Sequence, residues 1–264
     1  MKIAIIGMGH MGNLYADALV KNKICSSDEQ IGLGRGEGLT FNPEVVVLAV
    51  KPQDFAGVIP KLKKIKGDKS ILIISIMAGI TIQEIERNLP GFAVIRAMPN
   101  AAVVYNEGMT LFCNSPEVTD EQASRGQLIF NCTGKSERVE DESLMDAVTA
   151  ISGSGPAYFF YLAECLIQSA IRQGFKLETA KRMVEQTFIG AGEMVKCRKK
   201  LSMEDKIELV ASKGGTTRAA LNVFKTMGFG NIVDLAVREA VERGRMLGSM
   251  NKNEETKHPS YPDF

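Results

Sequence analysis

The chain has 264 residues, 45% apolar and 24% charged, with a formal net charge of +1. That balance excludes a general electrostatic pull toward nucleic acid or membrane. The longest apolar runs fall far short of the ~18 residues that a bilayer span needs.

The first predicted element is Lys2-Ile3-Ala4-Ile5-Ile6, a nearly all-apolar run that suits a strand buried on both faces. It runs straight into Gly7-Met8-Gly9-His10-Met11-Gly12, and residues 13–21 then read as a helix. An apolar start of this kind is a strand and not a secretory leader. The pattern G-x-G-x-x-G between strand and helix is the dinucleotide fingerprint in its required context. Gly7 makes the turn, Gly9 lets pyrophosphate approach, and Gly12 lets helix and strand pack. The plain alternative is a glycine-rich turn without a ligand.

Gln30-Ile31-Gly32-Leu33-Gly34 is the expected second strand, with Arg35-Gly36-Glu37-Gly38 the turn beyond it. Too few residues follow for the usual next helix. A cofactor's adenosine ribose sits at the end of such a strand, so Arg35 favours the 2′-phosphate of NADP, while Glu37 keeps NAD open. Further buried strands are expected at 45–50, 71–76 and 93–98, with helices at 54–64 and 81–89 between them. The alternation predicts an α/β fold with a Rossmann-like, doubly wound, mostly parallel sheet. The charge run at 61–69 reads as a solvated helix end. Residues 109–113 form an added strand, 119–131 a helix, and 136–139 a last edge strand.

From Asp141 onward the strand signals stop. Helices are expected at 147–151, 157–173, 177–197, 203–211, 217–227 and 232–247. The predicted organisation is a dinucleotide-binding domain over 1–140, an all-helical substrate and dimerisation domain over 141–248, and a disordered tail over 249–264. Met and Ala at helical spacing read as core or subunit interface. Ser152-Gly153-Ser154-Gly155-Pro156 reads as a hinge into a long helix, and Glu164 within that helix as the partner of a helix arginine.

Between two of these helices lies Ser212-Lys213-Gly214-Gly215-Thr216-Thr217. Paired glycines fold into a concave turn, and a threonine is a good N-cap. Such a corner offers a carboxylate several backbone N–H groups at the positive end of a helix. The five cysteines, Cys25, Cys113, Cys132, Cys165 and Cys197, are scattered and odd in number. They read as reduced thiols of a cytoplasmic protein. No Cys/His cluster has metal-ligand spacing, so no metal is expected. His10 and His258 are the only histidines, leaving little material for chemistry built on a histidine base.

The combination resembles the pyrroline-5-carboxylate reductase family. The matching pieces are the glycine fingerprint at 7–12, Ala49-Val50-Lys51-Pro52-Gln53, Ser75-Ile76-Met77-Ala78-Gly79-Ile80 and Arg96-Ala97-Met98-Pro99-Asn100. The most specific are Ala150-Ile151-Ser152-Gly153-Ser154-Gly155-Pro156-Ala157-Tyr158 and the loop at 212–217. The family usually has proline where this chain has Lys213, and its region corresponding to 22–44 is longer.

The resemblance implies reduction of a cyclic imine acid, 1-pyrroline-5-carboxylate, to proline by hydride from NADPH, with NADH the alternative. It assigns the substrate carboxylate to Ser212, Gly214, Gly215, Thr216 and Thr217, and activation of the imine nitrogen to the Thr217 hydroxyl. Lys51 contacts the nicotinamide ribose or holds water near the imine. Cofactor contacts fall to Gly7, Gly9, His10, Met11, Gly12, Arg35, Ala49, Val50, Lys51, Pro52, Ala78, Gly79, Met98 and Asn100. The family's helical domains interweave into homodimers, often joined into larger rings, with each pocket drawing on two subunits. Two other readings stay open: a 3-hydroxyacid-dehydrogenase-like oxidoreductase, and a dinucleotide-binding regulator without turnover.

Overall fold

The structure, a computed structural model, describes residues 1–26, 30–33, 42–64 and 70–250. Its chain falls into two compact units, Met1–Pro156 with the chain from Val237 onward, and Ala157–Ala236.

The first unit is built on a seven-stranded sheet in the order β2-β1-β3-β4-β5-β6-β7. The strands are β1 Ile3–Ile6, β2 Gln30–Leu33, β3 Val45–Leu48, β4 Leu72–Ser75, β5 Ala93–Met98, β6 Gly108–Asn114 and β7 Gly134–Arg138. All neighbours are parallel except β5 and β6. The expected doubly wound, mostly parallel sheet is therefore present, with one antiparallel pairing.

The strand sequences lack polar alternation because both faces are covered. Ala4, Ile6, Val46, Leu48, Ile73 and Val94 point to one side, where they meet Phe55, Leu62, Ile82, Ile85, Met145 and Val148. Ile3, Ile5, Val45, Val47, Leu72, Ile74 and Ile95 point to the other, against Tyr15, Leu19, Ile129 and Phe130. The first set of partners comes from α2 (Phe55–Leu62), α3 (Ile82–Asn88) and α5 (Met145–Val148). The second comes from α1 (His10–Lys21) and α4 (Asp120–Asn131). Each large aliphatic side chain so buried contributes roughly 1.5–3 kcal/mol. Local signals set the helix starts: Thr81 caps α3 through the Glu84 N–H, and Thr119 with Gln122 forms a capping box on α4.

Over 149–156, where a hinge into a long helix is expected, the chain is mostly helical, and the boundary between the two units falls after Pro156. α5 continues through a π turn, Thr149–Gly153, directly into α6 (Gly155–Arg172), with the Ser154 N–H donating to the Thr149 carbonyl at 2.9 Å. The extra residue of a π turn swings the helix face locally. A Cβ at Gly153 would lie 3.4 Å from the Met98 sulfur, so this glycine brings the helical backbone onto the end of β5.

α7 (Leu177–Cys197), α8 (Met203–Val210) and α9 (Thr216–Thr226) follow, then α10 (Phe229–Met250). The second unit's buried apolar cluster is small, formed by Ile167, Ala170, Ala180 and Val184. Phe159, Phe160, Tyr161, Ile189, Ile232 and Leu235 stand exposed. A free monomer rarely leaves so many large apolar side chains of one small unit in water. Glu164, expected beside an arginine, instead accepts from the Gln168 amide at 2.8 Å, one turn along α6. Among the described residues no helix is long and apolar enough to cross a membrane.

The end of α10 packs on the loop after β4. A Cβ at Gly248 would lie 2.1 Å from the Gly79 carbonyl oxygen, and one at Gly79 would lie 2.6 Å from the Gly244 oxygen. Backbone meets backbone here, so neither side can yield by turning a rotamer. Gly248→Ala is expected to cost about 1–3 kcal/mol as overpacking. Gly57, within α2, has open space around it. Gly57→Ala should instead stabilise by about 0.4–1 kcal/mol. Urea midpoints moving in opposite directions check the pair; a silent Gly248→Ala would remove the packing argument.

Candidate active site

Because β1, β3, β4 and β5 are parallel, their carboxyl ends share one edge of the sheet. Gly7, Ala49, Ala78 and Asn100 follow those ends, so the structure gathers most of the predicted cofactor residues on one rim. Ligands of open α/β sheets bind at this edge.

The three fingerprint glycines have different reasons. Gly7 has φ +101°, and a Cβ there would lie 2.7 Å from the Ala49 carbon and the Val50 nitrogen. A Cβ on Gly12 would lie 2.0 Å from the Gly7 oxygen. Both are demanded by the fold itself. Gly9 has no atom within 4 Å of its Cβ position and is exposed, so its missing side chain leaves room for something outside the chain. Gly9 is also the N-cap of α1, without a side-chain cap and with no acid in the first turn. The first N–H groups of α1, at His10, Met11 and Gly12, therefore meet an approaching anion uncompensated. This cradle fits a pyrophosphate.

Lys51 is exposed at the end of β3 and precedes a short 3₁₀ turn that Pro52 opens. Met98 is buried beneath the π turn. The Asn100 side-chain oxygen accepts from the Ala102 and Met109 N–H groups at 3.2 and 3.4 Å, which leaves its NH₂ as the group able to donate outward. Gly79, expected to admit the cofactor, has its Cβ direction filled by α10. Arg35 and Glu37 lie outside the described residues.

Behind the rim sits a charge cluster that sequence reasoning missed. Arg96, only 3% exposed, donates to Glu142 at 3.0 Å and to Asp146 at 3.1 Å. The same Glu142 oxygen accepts the Ile82 N–H at 2.7 Å, at the start of α3. β5, α3 and the approach to α5 are thereby joined two residues before Met98. A signal was available: a lone arginine in an otherwise apolar strand requires partners.

In the second unit, α8 ends at Val210 and α9 begins at Thr216. Between them the Gly215 N–H donates to the Ser212 carbonyl at 3.1 Å, and Gly214 has φ +73°. A closing i to i+3 bond with positive φ at the third position describes a type II turn. Ser212 Oγ would lie 2.5 Å from a Cβ on Gly215. The helix is capped by Gly215, with no side-chain cap. The expected threonine cap is thus corrected: both threonines already lie in the first helical turn, because the two glycines complete the bend. The donor set moves with it. The Gly215 N–H, expected to face the ligand, is committed to the turn. The groups without an intrahelical partner are the N–H groups of Thr216, Thr217 and Arg218.

The α9 start carries no acid in its first turn. Arg218 forks onto Glu208 at 3.0 and 2.5 Å and also donates to the Ala211 carbonyl at 2.8 Å. The guanidinium holds Glu208 below the usual carboxylate range. Three helix N–H donors, two hydroxyls and an unopposed helix dipole suit a small carboxylate.

A glycine cradle on a doubly wound sheet, followed by a helical region, defines a dinucleotide-binding oxidoreductase of Rossmann-like build. Residues 142–247 match the family model for pyrroline-5-carboxylate reductase dimerisation. A pyrroline-5-carboxylate reductase from Synechocystis is 38% identical over 205 residues, covering 78% of this chain and 75% of that one. One from Aquifex aeolicus is 31% identical over 264 residues, covering 94% and 97%. Among solved structures, pyrroline carboxylate reductase from Plasmodium falciparum with NADP bound superposes with a TM-score of 0.84 at 28% identity, covering 94% of this chain and 98% of that one. The chain belongs to the pyrroline-5-carboxylate reductase family.

Proposed function

We propose that this chain reduces 1-pyrroline-5-carboxylate to L-proline, the last step of proline biosynthesis, using NADPH with NADH as the alternative. The observation that carries it is the start of α9: a helix end without a side-chain cap, free of acids, behind a turn whose positive φ at 214 favours glycine. When bound, the reduced nicotinamide supplies hydride to the imine carbon.

The chain's own work is to bind, orient and polarise. Gly7, Gly9, His10, Met11 and Gly12 hold pyrophosphate; Ala49, Val50, Lys51, Pro52, Ala78, Met98 and Asn100 frame the rest, with Arg35 reserved for a 2′-phosphate. The N–H groups of Thr216 and Thr217 and the Ser212 hydroxyl take the substrate carboxylate. The Thr217 hydroxyl donates a hydrogen bond to the imine nitrogen, drawing electron density from the carbon that accepts hydride; as the C=N bond becomes a single bond the nitrogen takes up a proton from solvent. This requires positioning and charge stabilisation more than a strong base, in keeping with a chain that has two histidines. Lys51 holds a ribose hydroxyl or a water in this reading; its exposure at the end of β3 supports that.

Residues 1–140 form the dinucleotide domain in this reading, 141–248 the substrate and dimerisation domain, and 249–264 a tail. The working form is a homodimer or a larger assembly of dimers, with pockets completed across subunits. The exposed apolar side chains of α6 and α7 support this. The setting in this reading is cytoplasmic.

The test is the fall in reduced-nicotinamide absorbance with the pyrroline acid, run beside 3-oxo acids and with both cofactors. Turnover of the imine acid alone is expected, by a species no smaller than a dimer in sedimentation. Turnover of 3-oxo acids instead, or cofactor binding with no turnover, would replace this reading with one of its rivals. Full activity from a monomer would remove the shared pocket.

A further inference from the structure

We propose that the Glu208–Arg218 pair, with the Ala211 carbonyl, is a positioning tether that sets the substrate loop of this chain. The inference rests on the reading that residues 212–217 hold the substrate's carboxylate.

An arginine beside an acid-binding loop invites the view that it binds the acid. Its geometry argues otherwise. Both terminal nitrogens of Arg218 are engaged by Glu208, and one also bonds the Ala211 oxygen. Glu208 belongs to the last turn of α8, Ala211 is the buried residue where the loop opens, and Arg218 lies in the first turn of α9. The guanidinium therefore spans the loop from end to end. Its planar fork fixes direction as well as distance, and with its charge matched it can hold the loop without competing for the ligand.

The loop needs such a hold. Residues 212–214 are exposed, and two adjacent glycines give its backbone wide freedom. One turn bond, Gly215 N–H to Ser212 O, restrains it from within. Lys213 occupies the second position of a type II turn, where proline is favoured because it presets φ. Lysine gives no such restraint. The tether from α9 to α8 supplies from outside what residue 213 does not supply from within. Donors aimed at a small acid must stay within about 0.5 Å of their productive places.

The experiment is steady-state kinetics on the full chain. Arg218→Met keeps the side-chain stem and the backbone N–H but removes the fork. It should raise KM for the pyrroline acid about fivefold, while KM for NADPH and the melting temperature stay put, since an exposed ion pair adds little to global stability. Glu208→Gln, a milder change that keeps the side-chain volume, should move the same constant in the same direction. Adding Lys213→Pro to Arg218→Met should recover most of the loss by stiffening the turn.

An unchanged KM for the acid in both single variants overturns the tether. So does a rise matched by NADPH KM and a lowered melting temperature, which marks plain destabilisation, and so does a proline that restores nothing. A wild-type chain that fails to turn over the pyrroline acid sinks the parent reading itself; an active wild type with an indifferent Arg218→Met sinks the tether alone.

Discussion

Thr217→Ala is expected to lower kcat by about 10²–10³-fold, the loss seen when one preorganised donor to developing charge is removed. Cofactor binding should be unchanged, because the hydroxyl is assigned to the imine nitrogen and not to the dinucleotide. The fold should survive as well. Thr217 is inside the first turn of α9 and does not cap it, so alanine, a better helix former, replaces it without a lost cap. The hydroxyl is thus separable from the helix, and its role is open to a clean measurement. Thr217→Ser keeps the hydroxyl and should retain most of the rate. Rapid-mixing turnover with saturating NADPH reads the chemical step directly. A Thr217→Ala chain with wild-type kcat would leave the hydroxyl no part in activating the imine.

The second large effect concerns stability. Removing both carboxylates of the buried cluster, Glu142→Ala with Asp146→Ala, should cost about 3–5 kcal/mol, because Arg96 is then left charged and unpaired. Arg96 is held in the centre of β5, and its Nε already lacks a hydrogen-bond partner among the described residues, so it has little room to find a replacement. The arithmetic reverses when the charge itself is removed. Adding Arg96→Met to the double variant should recover part of the loss, since a well-packed apolar side chain is often as stable as a buried ion pair. Urea unfolding of the double and triple variants decides it. A triple variant less stable than the double one would mean that Arg96 contributes by packing and not through its ion pairs.

Much of the first unit can be read from the residues. Runs such as Val45-Val46-Val47-Leu48 leave no polar face, so only a strand covered on both sides suits them, and β3, β4 and β5 stand where expected. α7 spans its predicted residues, from Leu177 to Cys197. What escaped depends on distance along the chain. The partners of Arg96 lie 46 and 50 residues downstream, beyond the reach of any local pattern. Gly79 looks like a ligand-facing glycine until α10, far along the chain, fills the space beside it. The π turn escaped for another reason. Ser-Gly-Ser-Gly-Pro has the composition of a break, yet Thr149–Gly153 form a π turn, with Gly153 close to Met98. At the 212–217 loop the expected threonine cap was off by one residue, because Gly215 and not a threonine caps α9. The Arg35 and Glu37 expectations fall outside the described residues, so cofactor choice passes to the kinetic comparison of NADPH with NADH.

The four-residue core of the second unit carries a consequence for the living cell. A segment that thin draws its cohesion from meeting another copy, so mass action governs whether it persists. Halving the amount of protein then weakens every remaining molecule, and abundance itself becomes part of what keeps the chain folded.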